Sequence, residues 1–429
     1  MKKMKRRLSS GLKLVIGFLI IILAGAVLLS LPFSQKPSIK LGFLDALFIS
    51  TSSVCVTGLT TYNIASTFSI FGRVVLCFLM QLGGIGFAII AAAFIFLVGK
   101  NPAGRGQFLI KDSLGLENNK EITLIARRAI RFSLIIESLG ALWLFLTFLR
   151  YYDAPLEALG FAIFHAISAY NNAGLDIFGN SLESFRGDIS VNLAISSLII
   201  LGGLGFIVYS DLMNRRHRRH LMMHTKIVLS TSIALIVIGT LLHYLTGKLS
   251  LLESFFLSVS SRTAGFDTVP CDEIPAFSRY ITDILMFIGA SPGSTGGGIK
   301  TTTFFTILLT VISIPRGRQP HAFKRQIDSE SISRAFIILG TSMSMMFVAL
   351  GLLIAIEPSI PLNYLIFEVI SAFATVGLSC SVTPFLSVAG KLVIMVLMFI
   401  GRLGPLTITG LFQFKPEKIQ YLEEHIITG

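Results

Sequence analysis

Two sets of residues in the 429-residue chain have the types and spacing to do chemistry. The first is the run Ser291-Pro-Gly-Ser-Thr-Gly-Gly-Gly-Ile-Lys-Thr301, rich in glycine and hydroxyls, which interrupts two apolar stretches at 280–290 and 304–314. Glycines ahead of Lys-Thr suit a phosphate cradle, but that motif needs a glycine directly before its lysine and a strand before the loop. Here Ile299 separates Gly298 from Lys300 and the flanks are apolar runs, so no nucleotide site is assigned to this chain. The second set is a fourfold repeat. "FISTSSVCVTGL" (48–59), "FHAISAYNNAGL" (164–175), "FFLSVSSRTAGF" (255–266) and "FEVISAFATVGL" (367–378) align on Gly58, Gly174, Gly265 and Gly377. Each glycine is preceded ten residues earlier by phenylalanine and five residues earlier by a small residue. A second signature follows each: "LGGIGF" (82–87), "LGGLGF" (201–206), "IGASPG" (288–293) and "IGRLGP" (400–405), whose first glycines lie 24 to 28 residues beyond the aligned ones. One such glycine could serve helix packing alone; four in register indicate an internal repeat.

The chemistry this pattern suits is ion passage. Non-helical backbone exists at membrane depth only where it is buried in protein or lines water. Four such segments around one axis, Val56-Thr57-Gly58, Asn172-Ala173-Gly174, Thr263-Ala264-Gly265 and Thr375-Val376-Gly377, can offer carbonyl oxygens in place of a cation's hydration shell. Glycine admits the backbone angles that inward-pointing carbonyls require. The short helix ahead of each segment points its partial negative end at the ion.

The elements that must position these segments follow from composition. Hydrophobic residues make up 53% of the chain and charged residues 14%, which indicates a polytopic membrane protein. Apolar stretches near or above the roughly 20 residues a bilayer demands recur at 14–33, 69–98, 130–149, 189–209, 227–246, 280–314, 335–356 and 391–413. Four shorter ones, 42–54, 157–169, 250–260 and 361–373, have the length of re-entrant or buried segments. The expected fold is all-α: eight transmembrane helices forming four fused helix, pore-loop, helix repeats around one pore. Their bounds are 1–99, 100–213, 214–315 (with a broken second helix) and 316–429, the last including a cytosolic tail.

The net charge of +13 does not point to nucleic acid, because it crowds into "KKMKRR", the 100–131 connection, "RRHRRH" (215–220) and 316–334. That is the positive-inside pattern, with both termini cytoplasmic. The alternate connections carry Asp45, Asp153, Glu157, Asp176, Asp188, Glu253, Asp267, Asp272 and Glu273, an acidic mouth that would draw in cations. The first apolar run is read as a retained helix, since it lacks a cleavage site of small residues. Cys55, Cys77, Cys271 and Cys380 show no CxxC spacing, so neither a disulfide framework nor a zinc site is expected. His165 and His243 are read as packing residues. No catalytic constellation is present: no His-Glu-x-x-His, nucleophile elbow or paired intramembrane carboxylates. An alternating-access cation symporter, for instance one coupled to sodium, is the competing reading, but such proteins usually show two inverted halves rather than four parallel units.

These residues resemble the Trk/Ktr/HKT superfamily of potassium transporters, and within it the Ktr-type membrane subunit. The resemblance covers nearly the whole chain and rests on "VTGL", "NAGLD", "TAGFD" and "TVGLS", on "GSTGGGIKT" and on "GRLGPLT". It implies potassium uptake across the plasma membrane, with K+ held at Gly58, Gly174, Gly265 and Gly377. Sodium-preferring plant relatives commonly carry serine at the first of these positions, so Gly58 implies potassium selectivity. Trk-type relatives typically carry an extra pair of N-terminal spans; the Ktr type does not. The resemblance also implies that Gly293, Ser294, Thr295, Gly296, Gly297, Gly298 and Lys300 belong to an intramembrane gating loop below the filter. Arg402 would act against that loop as a barrier to cations, the alternative being a structural pairing with Glu137 or a backbone carbonyl. A homodimer, a cytosolic ring of nucleotide-binding regulatory subunits and Na+ as an activator are implied as well.

Overall fold

The computed structural model describes residues 10–37, 39–86, 119–213, 220–271 and 273–404. The distal half of the expected span 69–98, most of the 100–131 connection, nearly all of the basic run 215–220, Asp272 and the tail 415–429 lie outside the described residues. The helices are α1 (Ser10–Ser30), α2 (Phe43–Cys55), α3 (Ile70–Ile85), α4 (Asn119–Phe148), α5 (Pro155–Tyr170), α6 (Ile189–Gly203), α7 (Phe206–Met213), α8 (Met223–Tyr244), α9 (Leu251–Ser260), α10 (Ala276–Phe287), α11 (Thr301–Ser313), α12 (Ser329–Ile356), α13 (Leu362–Ala374) and α14 (Val388–Leu403). A two-stranded hairpin, His321–Ala322 with Arg325–Gln326, links α11 to α12.

Three stretches within the described residues are long and apolar enough to cross a bilayer: Arg128–Phe148, Met223–Tyr244 and Ser329–Ile356. Only 17 to 33% of their apolar windows is buried inside the protein; the remaining apolar surface needs a lipid solvent. α6 and α7 together make a fourth such segment, bent by 87°. That bend departs from the continuous span expected over 189–209. Its cause is a contact from far along the chain: Gly205, with φ +89, lies where a Cβ would stand 2.5 Å from Pro292 O, and Phe206 N–H donates to Gly293 O (2.9 Å). The expected stretch 280–314 is broken outright, since α10 ends at Phe287 and helix resumes at Thr301.

The short apolar helices are well started and well packed. α9 carries a complete capping box, Ser250 with Glu253, satisfying backbone donors the helix itself cannot. α14 and α6 are capped by Ser387 and Asp188. One apolar core packs α1, α2 and α3 against α13 and α14, joining the two ends of the chain. A second, rich in aromatics such as Phe148, Phe185, Phe256 and Phe266, joins α4, α5 and α6 to α9. No CxxC spacing marks a disulfide, yet Cys271 and Cys380 are bonded, with Cα atoms 5.0 Å apart across a sequence separation of 109. This corrects the expectation of four free thiols; Cys55 and Cys77 remain free.

Candidate functional site: a ring of four glycine segments

Each of α2, α5, α9 and α13 ends just before one of the aligned glycine segments. The backbone then takes the same course four times. Val56 (φ +57), Asn172 (φ +56), Thr263 (φ +82) and Thr375 (φ +52) all occupy the left-handed side, and so, two residues later, do Gly58 (+98), Gly174 (+63), Gly265 (+77) and Gly377 (+99). Positive φ at a side-chain-bearing residue is uncommon and costs of order 1–3 kcal/mol. Four such residues at equivalent places mark a conformation enforced by the surroundings.

The glycines converge on one another in a closed ring. A Cβ on Gly58 would stand 2.7 Å from Ala173 O and 3.2 Å from the Cα atoms of Gly174 and Gly377; one on Gly174 would stand 2.6 Å from Ala264 O and 2.9 Å from Gly265 Cα. On Gly265 it would meet Val376 O at 2.3 Å and Gly377 Cα at 3.1 Å, and on Gly377, Thr57 O at 2.1 Å and Gly58 Cα at 2.9 Å. The order is therefore 58, 174, 265, 377 and back to 58, the order of the chain. All the nearest atoms are backbone, so no side chain can be accommodated by a rotamer change.

A serine in the helix ahead pins each segment. Thr57, Ala173 and Val376 N–H groups donate to the carbonyls of Ser52 (2.8 Å), Ser168 (2.8 Å) and Ser371 (2.9 Å), and Ala264 N–H to Ser260 O (2.9 Å). The serine hydroxyls act too. Ser52 and Ser371 Oγ accept from Gly58 N–H (3.0 Å) and Gly377 N–H (3.1 Å), while Ser168 Oγ donates to Leu175 O (2.7 Å) and Ser260 Oγ to Phe266 O. Among the described residues no backbone hydrogen bond is made to Thr57, Ala173, Ala264 or Val376 O, the oxygens that lie against the neighbouring ring glycines. Sequence reasoning missed these serines, although a serine recurs six residues before the glycine in three units and five before it in the third.

The second glycine signature has a steric explanation. A Cβ on Gly83, Gly202 or Gly401 would stand 2.1, 1.9 or 1.8 Å from Val54, Tyr170 or Phe373 O, each the carbonyl four residues before the ring glycine of its own unit. In the third unit the pattern changes: Gly289 instead meets Gly297 O (2.1 Å). The 288–300 loop has inserted there.

That loop lies directly against the ring segments. Gly296 and Gly297 approach so closely that a Cβ would stand 2.1 Å from Thr263 Oγ1 and 2.2 Å from Thr375 Oγ1. Thr295 Oγ1 donates to Tyr170 O (3.3 Å) and Thr295 N–H to Gly202 O (3.4 Å), while Ser291 N–H donates to Gly203 O (3.1 Å). Lys300 folds back onto its own loop, donating to Gly296 O (2.6 Å) and Gly297 O (3.4 Å). Arg402 is half-buried and donates to Thr295 O, Gly83 O and Gly84 O (3.3 Å). It thus bridges the loop, α3 and α14. Of the two alternative partners weighed for it, backbone carbonyls are the ones Arg402 meets, while Glu137 is bonded by Gln81, Ser133 and Asn171. Gly293 and Ser294 lie within the same loop, where Ser294 N–H donates to Ser291 O (3.3 Å) and Gly293 O accepts from Phe206 N–H at the start of α7 (2.9 Å).

Many of the acids read as an attracting mouth have structural partners. Asp45 pairs with Lys391 (2.7 Å), Glu253 and Glu273 with Arg186, and Asp188 caps α6. Asp176 accepts from Phe178 and Gly179 N–H groups. Asp267 is bonded through its backbone on both sides, its N–H donating to Ser181 Oγ (3.0 Å) and its O accepting from Leu182 N–H (2.9 Å). Burial, with the nearby charges of Glu183 and Asp176, pushes its carboxyl up to about 7. Glu368, on α13 and fully buried, accepts from Ser379 Oγ (2.8 Å) and Thr383 Oγ1, holding the stretch just past Gly377. Nothing in the sequence pattern singled it out. His165 packs on Phe178 (4.0 Å between rings), in keeping with its reading as a packing residue, and its Nδ1 lies 2.7 Å from Phe161 O. Among the described residues no cluster of His, Cys, Asp and Glu has the arrangement of a metal site.

Residues 7–238 and 242–421 match the TrkH family model, described as a cation transport protein. The chain belongs to this TrkH family. It is a family of cation transporters, not of enzymes. Relatives extend over the full length: the chain is 34% identical to the potassium/sodium uptake protein NtpJ of Enterococcus hirae, covering 100% of this chain and 99% of the relative. It is 36% identical to the Ktr system potassium uptake protein B of Bacillus subtilis, over 97% of this chain and 96% of that protein. The crystal structure of the potassium transporter TrkH from Vibrio parahaemolyticus shares the fold, with a TM-score of 0.75 over 96% of this chain and 86% of that one at 18% identity. Membership of the TrkH family agrees with the superfamily named from the motifs.

Proposed function

We propose that this chain is a potassium uptake protein of the plasma membrane, in which the four-glycine ring is the selectivity filter and the 288–300 loop is the gate. The observation that carries the reading is the ring itself: four equivalent backbone segments, closed in chain order, with glycine wherever a Cβ would strike the neighbouring carbonyl. Carbonyls arranged about one axis replace the hydration shell of a dehydrating cation, and the C-terminal ends of α2, α5, α9 and α13 add partial negative charge. The names of the two relatives, both uptake proteins that handle potassium, supply the ion.

On this reading the chain crosses the bilayer eight times in four repeats, 1–99, 100–213, 214–315 and 316–429, with the basic connections and both termini cytoplasmic. The loop closes the path on the cytoplasmic side of the ring. Its three consecutive glycines bring backbone under Thr263 and Thr375, and Arg402 sets a fixed positive charge there, an electrostatic barrier to cations. Opening then requires the Arg402 bonds to Thr295, Gly83 and Gly84 to be exchanged. We place the control of that exchange in a cytosolic nucleotide-binding partner acting on a homodimer of this chain, in keeping with the Ktr system to which the B. subtilis relative belongs by name. Expression in a bacterial strain lacking potassium uptake, with and without such a partner, tests the function. Growth at low potassium and uptake of radioactive rubidium are expected; no rescue in any partner background, despite normal membrane expression, would reject potassium as the cargo.

A further inference from the structure

Between α10 and α11 on one side and α12 and α13 on the other lies a cavity of about 760 Å³. Its walls are apolar, with Ile288, Ile299, Phe304, Met346 and Ile370 among them. Two charged residues interrupt that lining. Arg279 stacks its guanidinium over the Tyr364 ring (5.5 Å), yet its Nη1 is buried with no hydrogen-bond partner, and Oδ1 of Asp283 is likewise unpartnered. Buried charged atoms without partners are costly, and a site that retains two of them at the edge of an apolar cavity has the design of a ligand pocket: an apolar body with a few convergent polar groups.

The order of groups along α10 identifies the ligand. At 1.5 Å per residue, Asp283 lies about 6 Å along the helix from Arg279, and Phe287 about 6 Å further. On the proposed topology α10 enters from the outer face, so a molecule lying along it meets a guanidinium, then a carboxyl, then hydrocarbon. A glycerophospholipid presents phosphate, ester and acyl chain in that sequence and with that spacing. Arginine holds phosphate through charge-assisted, bidentate hydrogen bonds, and the carboxyl of Asp283 comes next along the helix, at the level of the ester. The entrance is lined by Tyr280, Ile284 and Met343, all exposed on the protein surface, which opens the cavity sideways to the acyl region.

We infer that this cavity binds one anionic phospholipid, its phosphate on Arg279 and its acyl chain against the backs of Ile288 and Ile299. Those two residues flank the glycine-rich loop and pair across its base. The bound chain therefore packs behind the segment proposed as the gate. An anionic head is favoured over a zwitterionic one because a choline or ethanolamine cation would offset the phosphate charge that Arg279 reads. The inference rests on the membrane orientation proposed above but not on ion flux.

Trp143 is the sole tryptophan, which makes a fluorescence test clean. Met343→Trp places a reporter in the cavity, and Val348→Trp, exposed and outside the lining, places one toward bulk lipid, each in a Trp143→Phe background. The purified proteins are reconstituted in phosphatidylcholine vesicles containing, as a minor component, phosphatidylglycerol brominated on its acyl chains. Quenching is expected to be severalfold stronger at position 343 than at 348, with the excess lost in Arg279→Gln and kept in Asp283→Asn. It should also be weaker when the brominated minor component is phosphatidylcholine. Equal quenching at the two positions, or an excess that survives Arg279→Gln, would mean contact with bulk lipid only. Quenching at 348 but none at 343 would mean that the cavity is covered by a second copy of the chain. Either result overturns the inference. Because no transport is measured, a chain that failed the rubidium assay would still give a clear answer here.

Discussion

Alanine substitution at the four ring glycines should damage selectivity in an order that the structure fixes. Gly377 has the least tolerant site: its φ of +99 lies well outside the region open to L-residues, and a Cβ would stand 2.1 Å from Thr57 O. Backbone strain of that kind costs about 1–3 kcal/mol, and forcing a methyl into a packed site adds about 1–3 kcal/mol. Together, some 2–6 kcal/mol of distortion falls on the ring, and each ~1.4 kcal/mol is worth tenfold in an equilibrium. Gly174 is at the other end. Its φ of +63 sits within the left-handed well, so the backbone cost there is near the low limit of about 1 kcal/mol, which leaves mainly the clash of the methyl with Ala264 O at 2.6 Å. Gly265 (2.3 Å, φ +77) and Gly58 (2.7 Å, φ +98) fall between. The assay is rubidium uptake with sodium as competitor in the uptake-deficient strain, corrected for membrane expression. Gly377→Ala should lose rubidium-over-sodium preference by roughly tenfold or more, on the same conversion, and Gly174→Ala should stay closest to wild type. A Gly377→Ala protein with unchanged preference, or a Gly174→Ala protein more damaged than Gly377→Ala, would refute the reasoning from ring geometry.

Three further outcomes follow from the contacts around the ring. Arg402→Gln removes charged hydrogen bonds to Thr295, Gly83 and Gly84, each worth about 1.5–3 kcal/mol. Basal rubidium leak from proteoliposomes should rise, as it should when 294–297 is shortened, and an unchanged or lower leak would count against the loop as gate. The Cys271–Cys380 bond closes a loop of 109 residues, and losing such a bond costs about 2–5 kcal/mol. Cys380→Ala should therefore lower the melting temperature, and alkylation of the denatured protein should label Cys55 and Cys77 alone until a reductant is added. Asp267 gains its negative charge only as pH rises through about 7. The acidic mouth is strongest above that value, and potassium affinity should improve between about pH 6 and pH 8 while Asp267→Asn removes the slope. The same raised pKa means that ionising Asp267 opposes folding, so its contribution to stability declines as pH climbs from the ordinary carboxylate range through about 7. A pH profile identical in the Asp267→Asn variant would show that this carboxyl is not sensed.

How far the sequence carried the account depends on how local the cause was. The four ring segments were legible because each needs a glycine at one place, and a repeated local need leaves a repeated mark. The break at 288–300 was legible from composition, since a proline, hydroxyls and glycines inside an apolar run cannot continue a buried helix without cost. The bend between α6 and α7 was not, because Gly205 yields to the Pro292 carbonyl, which is brought there by the fold and not by its neighbours in sequence. Cys271 and Cys380 carry no spacing signal for the same reason: they meet across two units. Acids were the least readable class. Asp45, Glu253 and Glu273 look alike as loop charges, and only their partners, Lys391 and Arg186, show them to be occupied. Glu368 and the pinning serines sit in short apolar helices, where a polar residue signals a bond without saying to what.

The central claim is that a dehydrating cation sits inside the ring of Gly58, Gly174, Gly265 and Gly377. A structure of the purified protein in rubidium, with anomalous scattering recorded at the rubidium edge, tests it most directly. The account predicts an anomalous peak on the axis between the four segments, at coordination distance from their carbonyl oxygens, that disappears in Gly377→Ala. A ring without density, with rubidium found instead only at the mouth beside Asp267, would contradict it.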